Sequence, residues 1–316
     1  MSSKVKSGTD LLAIRILMTE ECNLSCVFCH NEGQQGLTRV SDLDAAKLRT
    51  LLRAGSTRSL RQIKFSGGEP TLHPDLIDFV GFSVSSGYDT VIISNGVNRA
   101  ELESGAALGA RICINVPSVA PKVYRSLTGG DLEKVVETLE SLRRIRAEVA
   151  INSYSPMVPN VEHIDRLLAF AKTYRCSLKL LLPCQVLTAE KQVRAHRDYR
   201  SALTSLNCSL KTETAYDSSW VTADSVRVRI VKPWCPETCR SVTRYYRSAR
   251  LTPRLELRPC FGNSALGLPL DFSSTEACGA SLDRALSLVS GSCGDDISIR
   301  VRHRRSRDTS DRKNAH

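Results

Sequence analysis

The chain has 316 residues, of which 41% are hydrophobic, with a formal net charge of +11 and 12 cysteines. This composition is typical of a globular protein with one large or two modest domains, and no apolar run approaches the roughly 20 residues of a membrane span. The first ten residues are polar and contain no apolar signal core, which predicts a cytoplasmic protein. Twelve cysteines in a chain of this length do not suit the disulfide framework of a short secreted domain.

Short apolar runs alternate with amphipathic stretches from about residue 11 to residue 205. The pattern predicts six strands, at residues 11–18, 62–66, 90–94, 111–115, 149–154 and 178–183. It also predicts helices at residues 41–54 (with Ser41 as the N-cap), 75–86, 99–108, 131–144, 161–174 and 188–205. Strands alternating with helices indicate βαβ units and a parallel sheet, here a partial (β/α)6 barrel of the TIM type. Functional residues are then expected at the C-terminal ends of the strands.

The pattern changes after about residue 205, where we predict an irregular C-terminal extension over residues 206–298. Strands are indicated at 221–232 and 254–258, and a helix at 281–289. Residues 1–10 are expected to be flexible. Residues 299–316 are also expected to be flexible, because this segment is rich in arginine and almost free of apolar residues. Such a tail can bind nucleic acid, but we favour a solvated tail with no such role.

Residues 21–29, directly after the first predicted strand, are the most informative stretch. They place Cys22, Cys26 and Cys29 in the spacing C-x3-C-x2-C. A structural zinc site would need a fourth ligand, and His30 is the nearest candidate. A [4Fe–4S] cluster on three thiolates instead leaves one iron open to an external ligand. The spacing alone is compatible with both sites.

A second motif favours the cluster. Residues 66–70, Ser-Gly-Gly-Glu-Pro, follow the second predicted strand, and glycines there allow a ligand to approach the backbone closely. Ser94 and Asn95 stand at the end of the third strand, and Asn115 at the end of the fourth. All these positions fall at the predicted active edge of the sheet, where the cysteine loop also begins.

The cysteine spacing, Phe28 before the third cysteine and the GGEP run together resemble the radical S-adenosylmethionine (SAM) superfamily. This resemblance implies that Cys22, Cys26 and Cys29 hold a [4Fe–4S] cluster whose open iron binds SAM. It implies SAM contacts from Phe28, Gly67, Gly68, Glu69, Pro70, Ser94, Asn95 and Asn115. In this family, reductive cleavage of SAM yields a 5′-deoxyadenosyl radical that removes hydrogen from the substrate. An electron donor such as flavodoxin or ferredoxin is also implied.

The finer similarity is to the GTP 3′,8-cyclase (MoaA-like) branch of that superfamily. It is carried by residues 14–15, 22–33 and 124–130 and covers roughly residues 11 to 290. The branch implies nucleotide contacts from Arg15, Lys64 and Arg250. It also implies a second [4Fe–4S] cluster, for which the candidates are Cys235, Cys239 and Cys260. Their spacing differs from the pattern of the branch, and a zinc site or unligated cysteines remain the alternatives there.

Two departures from the branch favour a substrate other than GTP. Ala150 replaces a lysine of the branch, and the Asn-Arg-x-Arg run that follows its second C-terminal cysteine is absent after Cys239. We therefore expect a radical SAM enzyme that forms or rearranges a carbon–carbon bond in a nucleotide or nucleotide sugar, in nucleoside antibiotic biosynthesis. The alternatives are the GTP 3′,8-cyclase itself and a zinc-containing nucleic-acid-binding protein.

Overall fold

The computed structural model describes residues 13–29, 40–58, 60–154, 160–182, 189–214, 217–231, 248–258 and 267–287. Its centre is a parallel sheet in which six strands lie side by side in chain order. The strands are β1 (Ala13–Leu17), β2 (Gln62–Ser66), β3 (Asp89–Ser94), β4 (Arg111–Asn115), β5 (Val149–Tyr154) and β6 (Ser177–Leu181). The predicted α/β class and parallel core are therefore confirmed.

Eight helices accompany these strands in the described ranges. They are α1 (Ala45–Ser56), α2 (Leu76–Ser85), α3 (Arg99–Ala107), α4 (Pro121–Thr128), α5 (Leu132–Arg144), α6 (Val161–Thr173), α7 (Ala189–Ser205) and α8 (Thr275–Ser287). The sequence pattern missed α4, which begins with proline and ends at Gly129 in the left-handed region (φ 72°). The predicted N-cap of α1 was wrong: the Asp44 carboxylate accepts from the Lys47 N–H at 2.8 Å, whereas the Ser41 hydroxyl accepts from the Leu43 N–H.

Strands from the C-terminal part extend the sheet at both of its edges. Beyond β6 lie β9 (Arg227–Val231), β8 (Asp217–Val221) and β7 (Ser209–Glu213); beyond β1 lie β10 (Ser248–Leu251), β11 (Glu256–Arg258) and β12 (Leu268–Pro269). The strand predicted at 221–232 is instead the end of β8, a turn and β9. Because β9 and β10 run parallel to their inner neighbours, eight adjacent strands share one direction. The described part of the extension is thus more regular than its sequence indicates.

The sheet has one apolar face and one polar face. On the apolar face, Ile16, Phe65 and Ile114 are completely buried in the main hydrophobic core. On the polar face, the charge of Lys179 on β6 lowers the pKa of Lys64 on β2, although β6 lies four strands away in the sheet. Strands lie about 4.8 Å apart, so a flat sheet would separate these residues by roughly 19 Å. The interaction therefore indicates a sheet that curls around its polar face, as a partial barrel does.

Residues 1–10 and 299–316, predicted to be flexible, lie outside the described residues. In the described part of the chain, no helix combines the length and the apolar character that a membrane crossing requires.

Candidate active site

The cysteine loop begins where β1 ends, at the sheet edge formed by the C-terminal ends of the parallel strands. Cys22 and Cys29 are exposed, and Cys26 is partly buried. Burial, together with the charges of Cys29 and Cys22, raises the pKa of Cys26 to about 12. The charges of the three thiolates therefore oppose one another, and a positively charged centre bound to all three would offset this repulsion.

The donor set of this loop fits an iron–sulfur cluster. Among the described residues, no three His, Cys, Asp or Glu side chains converge tightly enough to share a single metal ion. A cluster places each thiolate on a different iron, so its sulfur ligands stand further apart than those of one zinc ion. Three thiolates are also the ligand number of a [4Fe–4S] cluster that leaves one iron open to an external ligand. His30, the nearest additional donor in sequence, lies outside the described residues.

Gly67 and Gly68 let the loop after β2 pack directly on the backbone of the cysteine loop. The Gly68 N–H donates to the Thr19 carbonyl and the Glu69 N–H to the Glu21 carbonyl, both at 2.7 Å. A Cβ at Gly68 would lie 1.9 Å from the Glu21 oxygen, and one at Gly67 (φ 134°) would lie 2.5 Å from the Thr19 oxygen. The structure shows that these glycines make room for the cysteine loop, and the ligand contact expected of them from the sequence stays a prediction.

The carboxylate of Glu69 is buried and accepts four hydrogen bonds from the protein. The donors are the Thr71 N–H (3.2 Å), the Thr71 hydroxyl (2.7 Å), the Ser94 hydroxyl (2.8 Å) and the Asn95 N–H (2.7 Å). Burial raises the pKa of Glu69, and these hydrogen bonds lower it. Glu69 also caps the short 3₁₀ helix Pro70–Leu72. Its side chain thus fixes the GGEP loop to the end of β3.

Asn95 continues this connection to the cysteine loop. Its side-chain nitrogen donates to the Asn23 Oδ1 at 2.6 Å and lies 3.9 Å from the Cys22 sulfur. The Leu24 N–H approaches the same sulfur at 3.5 Å. Hydrogen bonds to a ligating sulfur orient it and stabilise its charge. Of the predicted contact residues, Glu69, Ser94 and Asn95 therefore form one hydrogen-bonded chain that reaches Cys22.

Two further pairs of side chains are in contact near the C-terminal ends of β4 and β5. The ring of Phe28 packs against Tyr154, with centroids 5.1 Å apart and planes tilted by 39°. The Asn152 side chain donates to the Oδ1 of Asn115, which is exposed, at 3.3 Å. Sequence reasoning missed Tyr154 and Asn152, although both stand at the end of strand five, where active residues were expected.

Five of the cationic side chains on the polar face of the sheet form one group. Arg15 stands beside Lys64 on one neighbouring strand and beside Arg250 on the other. Lys179 on β6 likewise stands beside Arg229 on the neighbouring strand β9. Burial, followed by the charges of the other four, lowers the pKa of Lys64 to about 7. We call these five residues the inner cationic cluster.

The sequence identified three members of this cluster and missed Lys179 and Arg229. Both missed cations alternate with buried apolar residues along their strands, a signal that could have placed them on the polar face. Lys179 also donates to the sulfur of buried Cys113 at 3.7 Å. Ala150 lies between Cys113 and Ser177 in the sheet, so the position where the similar branch has lysine carries no charge here.

The structure describes four of the nine remaining cysteines, and Cys184 and Cys293 are among the five that it does not describe. Cys113, Cys176, Cys208 and Cys278 are buried free thiols, as expected for small apolar residues. The proposed auxiliary ligands Cys235, Cys239 and Cys260 lie outside the described residues, so their arrangement stays a prediction.

Comparisons with known proteins agree with this site. Residues 16–172 match the family model of the radical SAM superfamily. The "Probable GTP 3',8-cyclase" of Thermococcus kodakarensis is 33% identical over 148 residues, 46% of this chain and only 48% of that relative. The protein of the same name from Methanopyrus kandleri is 28% identical over 277 residues, 84% of this chain and 86% of that relative.

A solved structure shows the same fold. Streptococcus suis SuiB bound to S-adenosylmethionine superposes with a TM-score of 0.68 at 13% identity, covering 90% of this chain and 68% of that one. At this identity the likeness concerns the fold alone. The family match and the similarity to the two relatives favour an enzyme over a zinc-containing nucleic-acid-binding protein. With its cysteine loop, GGEP run and parallel core, the chain belongs to the radical SAM superfamily of enzymes.

Proposed function

We propose that this enzyme cleaves SAM reductively at a [4Fe–4S] cluster held by Cys22, Cys26 and Cys29, and acts on a phosphorylated nucleotide or nucleotide sugar. The inner cationic cluster carries the substrate part of this proposal. It lies on the polar face of the same curled sheet whose C-terminal edge bears the cysteine loop. Phosphate oxygens would pair with these cations, of which Arg229 is exposed and the other four are partly buried, and a charge-assisted bond at a partly buried cation is stronger than its equivalent in water.

The chain orients SAM with groups at the sheet edge. When bound, the cluster and SAM supply one-electron chemistry that yields methionine and a 5′-deoxyadenosyl radical. We assign backbone groups of Gly67, Gly68 and Pro70 to the amino group of SAM, and Asn115 to its ribose or carboxylate. Glu69, Ser94 and Asn95 hold these groups in place through their hydrogen bonds to each other. Phe28, packed on Tyr154, forms one wall of the site.

The inner cationic cluster positions the substrate. Arg15 lies on β1, seven residues before Cys22 along the strand and loop, so phosphates bound at Arg15, Lys64 and Arg250 leave the rest of the molecule facing the cysteine loop. An anion there would also favour the charged form of Lys64, whose pKa is lowered to about 7 by burial and cationic neighbours. Because the 5′-deoxyadenosyl radical is highly reactive, its selectivity depends on holding the reacting carbon of the substrate in one place.

Several finer assignments belong to the same proposal. Ala150 leaves the cationic cluster different from that of the similar branch, which supports a nucleotide other than GTP and a role in specialised nucleoside biosynthesis with carbon–carbon bond formation or rearrangement. Cys235, Cys239 and Cys260 would hold an auxiliary [4Fe–4S] cluster with one open position for the substrate. The electron donor would be a flavodoxin or ferredoxin, and the reaction cytoplasmic.

The GTP 3′,8-cyclase reaction is the second candidate. It is favoured by the relative from Methanopyrus kandleri, whose name is "Probable GTP 3',8-cyclase" and which matches this chain over 84% of its length. Incubating the reconstituted protein with GTP, SAM and a reductant separates the two candidates, because only this one yields a cyclised guanosine triphosphate.

The experiment is an anaerobic assay of the reconstituted protein with SAM, dithionite and a panel of nucleotides and nucleotide sugars. We expect 5′-deoxyadenosine, with formation accelerated at least tenfold by one phosphorylated compound and abolished in Cys26→Ala. Substrate deuterated at the reacting carbon would pass its label to 5′-deoxyadenosine. Protein that contains zinc but no iron or sulfide, and forms no 5′-deoxyadenosine, would refute the proposal.

A further inference from the structure

Tyr124 on α4 has a buried hydroxyl that the protein leaves without a partner. The residue has no exposed surface, and its OH makes no hydrogen bond within the described residues. The Thr128 hydroxyl lies close enough to the Tyr124 OH to lower its pKa, but it already donates to the Tyr124 main-chain oxygen at 2.8 Å and accepts from the Gly130 N–H at 3.1 Å. A buried hydroxyl without a partner is costly, so such a group in a functional region points to a missing acceptor.

The end of α4 is fixed against the cysteine loop on both sides of Cys26. The Ser25 N–H donates to the Thr128 carbonyl at 3.0 Å, and the Val27 N–H donates to the Leu127 carbonyl at 2.9 Å. Gly129 permits this approach, because a Cβ there would lie 2.4 Å from the Ser25 Oγ. Tyr124 stands one helical turn before Thr128, and the charge of Cys26 acts on its hydroxyl.

The ligand sulfurs differ in the donors that reach them. Cys22 is approached by the Leu24 N–H and the Asn95 amide. Cys26 is the more buried of the two, and no side chain of the described residues donates to its sulfur. The pKa of Tyr124 is raised to about 12, mainly by burial, so its hydroxyl keeps its proton at neutral pH and can only donate to a thiolate.

We propose that Tyr124 would donate a hydrogen bond to the sulfur of Cys26 when that residue holds the cluster, and would thereby make the cluster easier to reduce. This rests on the proposed function, which puts a cluster on this loop. The reduced cluster carries one more negative charge, so a hydrogen bond to its sulfur stabilises the reduced form more than the oxidised form. Tyr124 is thus a positioning residue that adjusts the reduction potential, and its hydroxyl gains its partner when the cluster binds.

The test compares reconstituted wild-type protein with Tyr124→Phe in a potentiometric titration followed by electron paramagnetic resonance. We expect the equilibrium constant for one-electron reduction to fall about tenfold, which corresponds to a shift of about 59 mV to more negative potential. Tyr88→Phe is the matched control: the Tyr88 hydroxyl is also buried but donates to the Leu52 carbonyl, away from the cysteine loop. Its potential should equal that of the wild type.

A second measurement compares the same two proteins by the hydrogen atoms around the reduced cluster. In D₂O, electron–nuclear double resonance should show an exchangeable deuteron coupled to the reduced cluster, and Tyr124→Phe should lack it. Equal potentials and equal deuteron couplings in wild type and Tyr124→Phe, both with full iron content, would overturn this inference alone. A wild type that binds no iron would overturn the proposed function together with it.

Discussion

The carboxylate of Glu69 accepts a hydrogen bond at 2.7 Å from the main-chain N–H of Asn95, which lies 26 residues later in the chain. This bond joins the loop after β2 to the end of β3. The side chain of Asn95 then reaches Asn23 and the sulfur of Cys22. A buried carboxylate therefore links the loop after β2 and the end of β3 to the cysteine loop.

Replacing Glu69 with Gln should destabilise the protein. The amide brings an NH₂ group where the carboxylate accepted four hydrogen bonds, so at least one donor of Thr71, Ser94 or Asn95 loses its partner. We expect the free energy of unfolding to fall by about 1–3 kcal/mol, measured by denaturant titration of the protein without its cluster. Glu137→Gln on the exposed side of α5 is the control. Equal losses in both variants would show that the buried hydrogen bonds contribute nothing specific.

Gly68→Ala tests the close contact between the GGEP loop and the cysteine loop. The new Cβ would fall 1.9 Å from the Glu21 carbonyl oxygen, so one of the two loops must move. We expect iron bound after reconstitution to drop by more than half. Gly81→Ala on α2 is the control, because its Cβ would have its nearest neighbour at 3.8 Å. Full iron loading of Gly68→Ala would contradict the contact described here.

The buried charge of Lys64 predicts a pH dependence of stability. Its pKa in the folded protein is lowered to about 7, from an ordinary value near 10.5. Between these values the unfolded chain binds more protons than the folded chain, so the contribution of Lys64 to stability improves as pH rises. Lys64→Met should be more stable than the wild type at pH 6. The difference between their free energies of unfolding should become smaller towards pH 10.

Denaturant unfolding of the protein without its cluster, at several pH values, measures this difference. Lys122→Met, at an exposed site on α4, provides the control and should show no difference that varies in this way. A constant difference between wild type and Lys64→Met from pH 6 to pH 10 would mean that Lys64 is not held in a cationic, buried setting.

Lys179 should contribute to substrate affinity, although it lies four strands from Lys64 in the sheet. Losing one charge-assisted hydrogen bond to phosphate costs about 1.5–3 kcal/mol, so Lys179→Met should weaken binding of the phosphorylated substrate about 10- to 150-fold. Titration calorimetry with the substrate, and with inorganic pyrophosphate as a probe, measures the effect. Lys172→Met, at an exposed ion pair with Asp224, should bind like the wild type. Unchanged affinity in Lys179→Met would remove it from the site.

Much of this arrangement follows from sequence alone, because local patterns carry it. The six parallel strands have clear apolar runs, and the cysteine loop and GGEP run lie directly after the first two. The N-cap of α1 was harder to predict, because Ser41 and Asp44 are both good N-cap residues. Only the backbone conformation determines which of the two caps the helix. Helix α4 was missed because it is short, with only two buried residues, Tyr124 and Thr128.

The long-range features could not be read from the chain. Arg15 meets Arg250 only because β10 pairs with β1, across more than two hundred residues. Lys179 approaches Lys64 only because the sheet curls, which no local pattern reports. The orphaned hydroxyl of Tyr124 depends on main-chain contacts between α4 and the cysteine loop. Such properties arise from tertiary packing, whereas strand and helix positions arise mainly from local periodicity.

The central claim is that Cys22, Cys26 and Cys29 hold a [4Fe–4S] cluster. The most direct measurement is iron and sulfide content after anaerobic reconstitution, for the wild type and for a variant with Cys235, Cys239 and Cys260 replaced by Ala. We predict about eight irons in the wild type and about four in the variant, with the remaining four lost on Cys26→Ala. A colourless wild type that contains zinc and no iron or sulfide would contradict the claim.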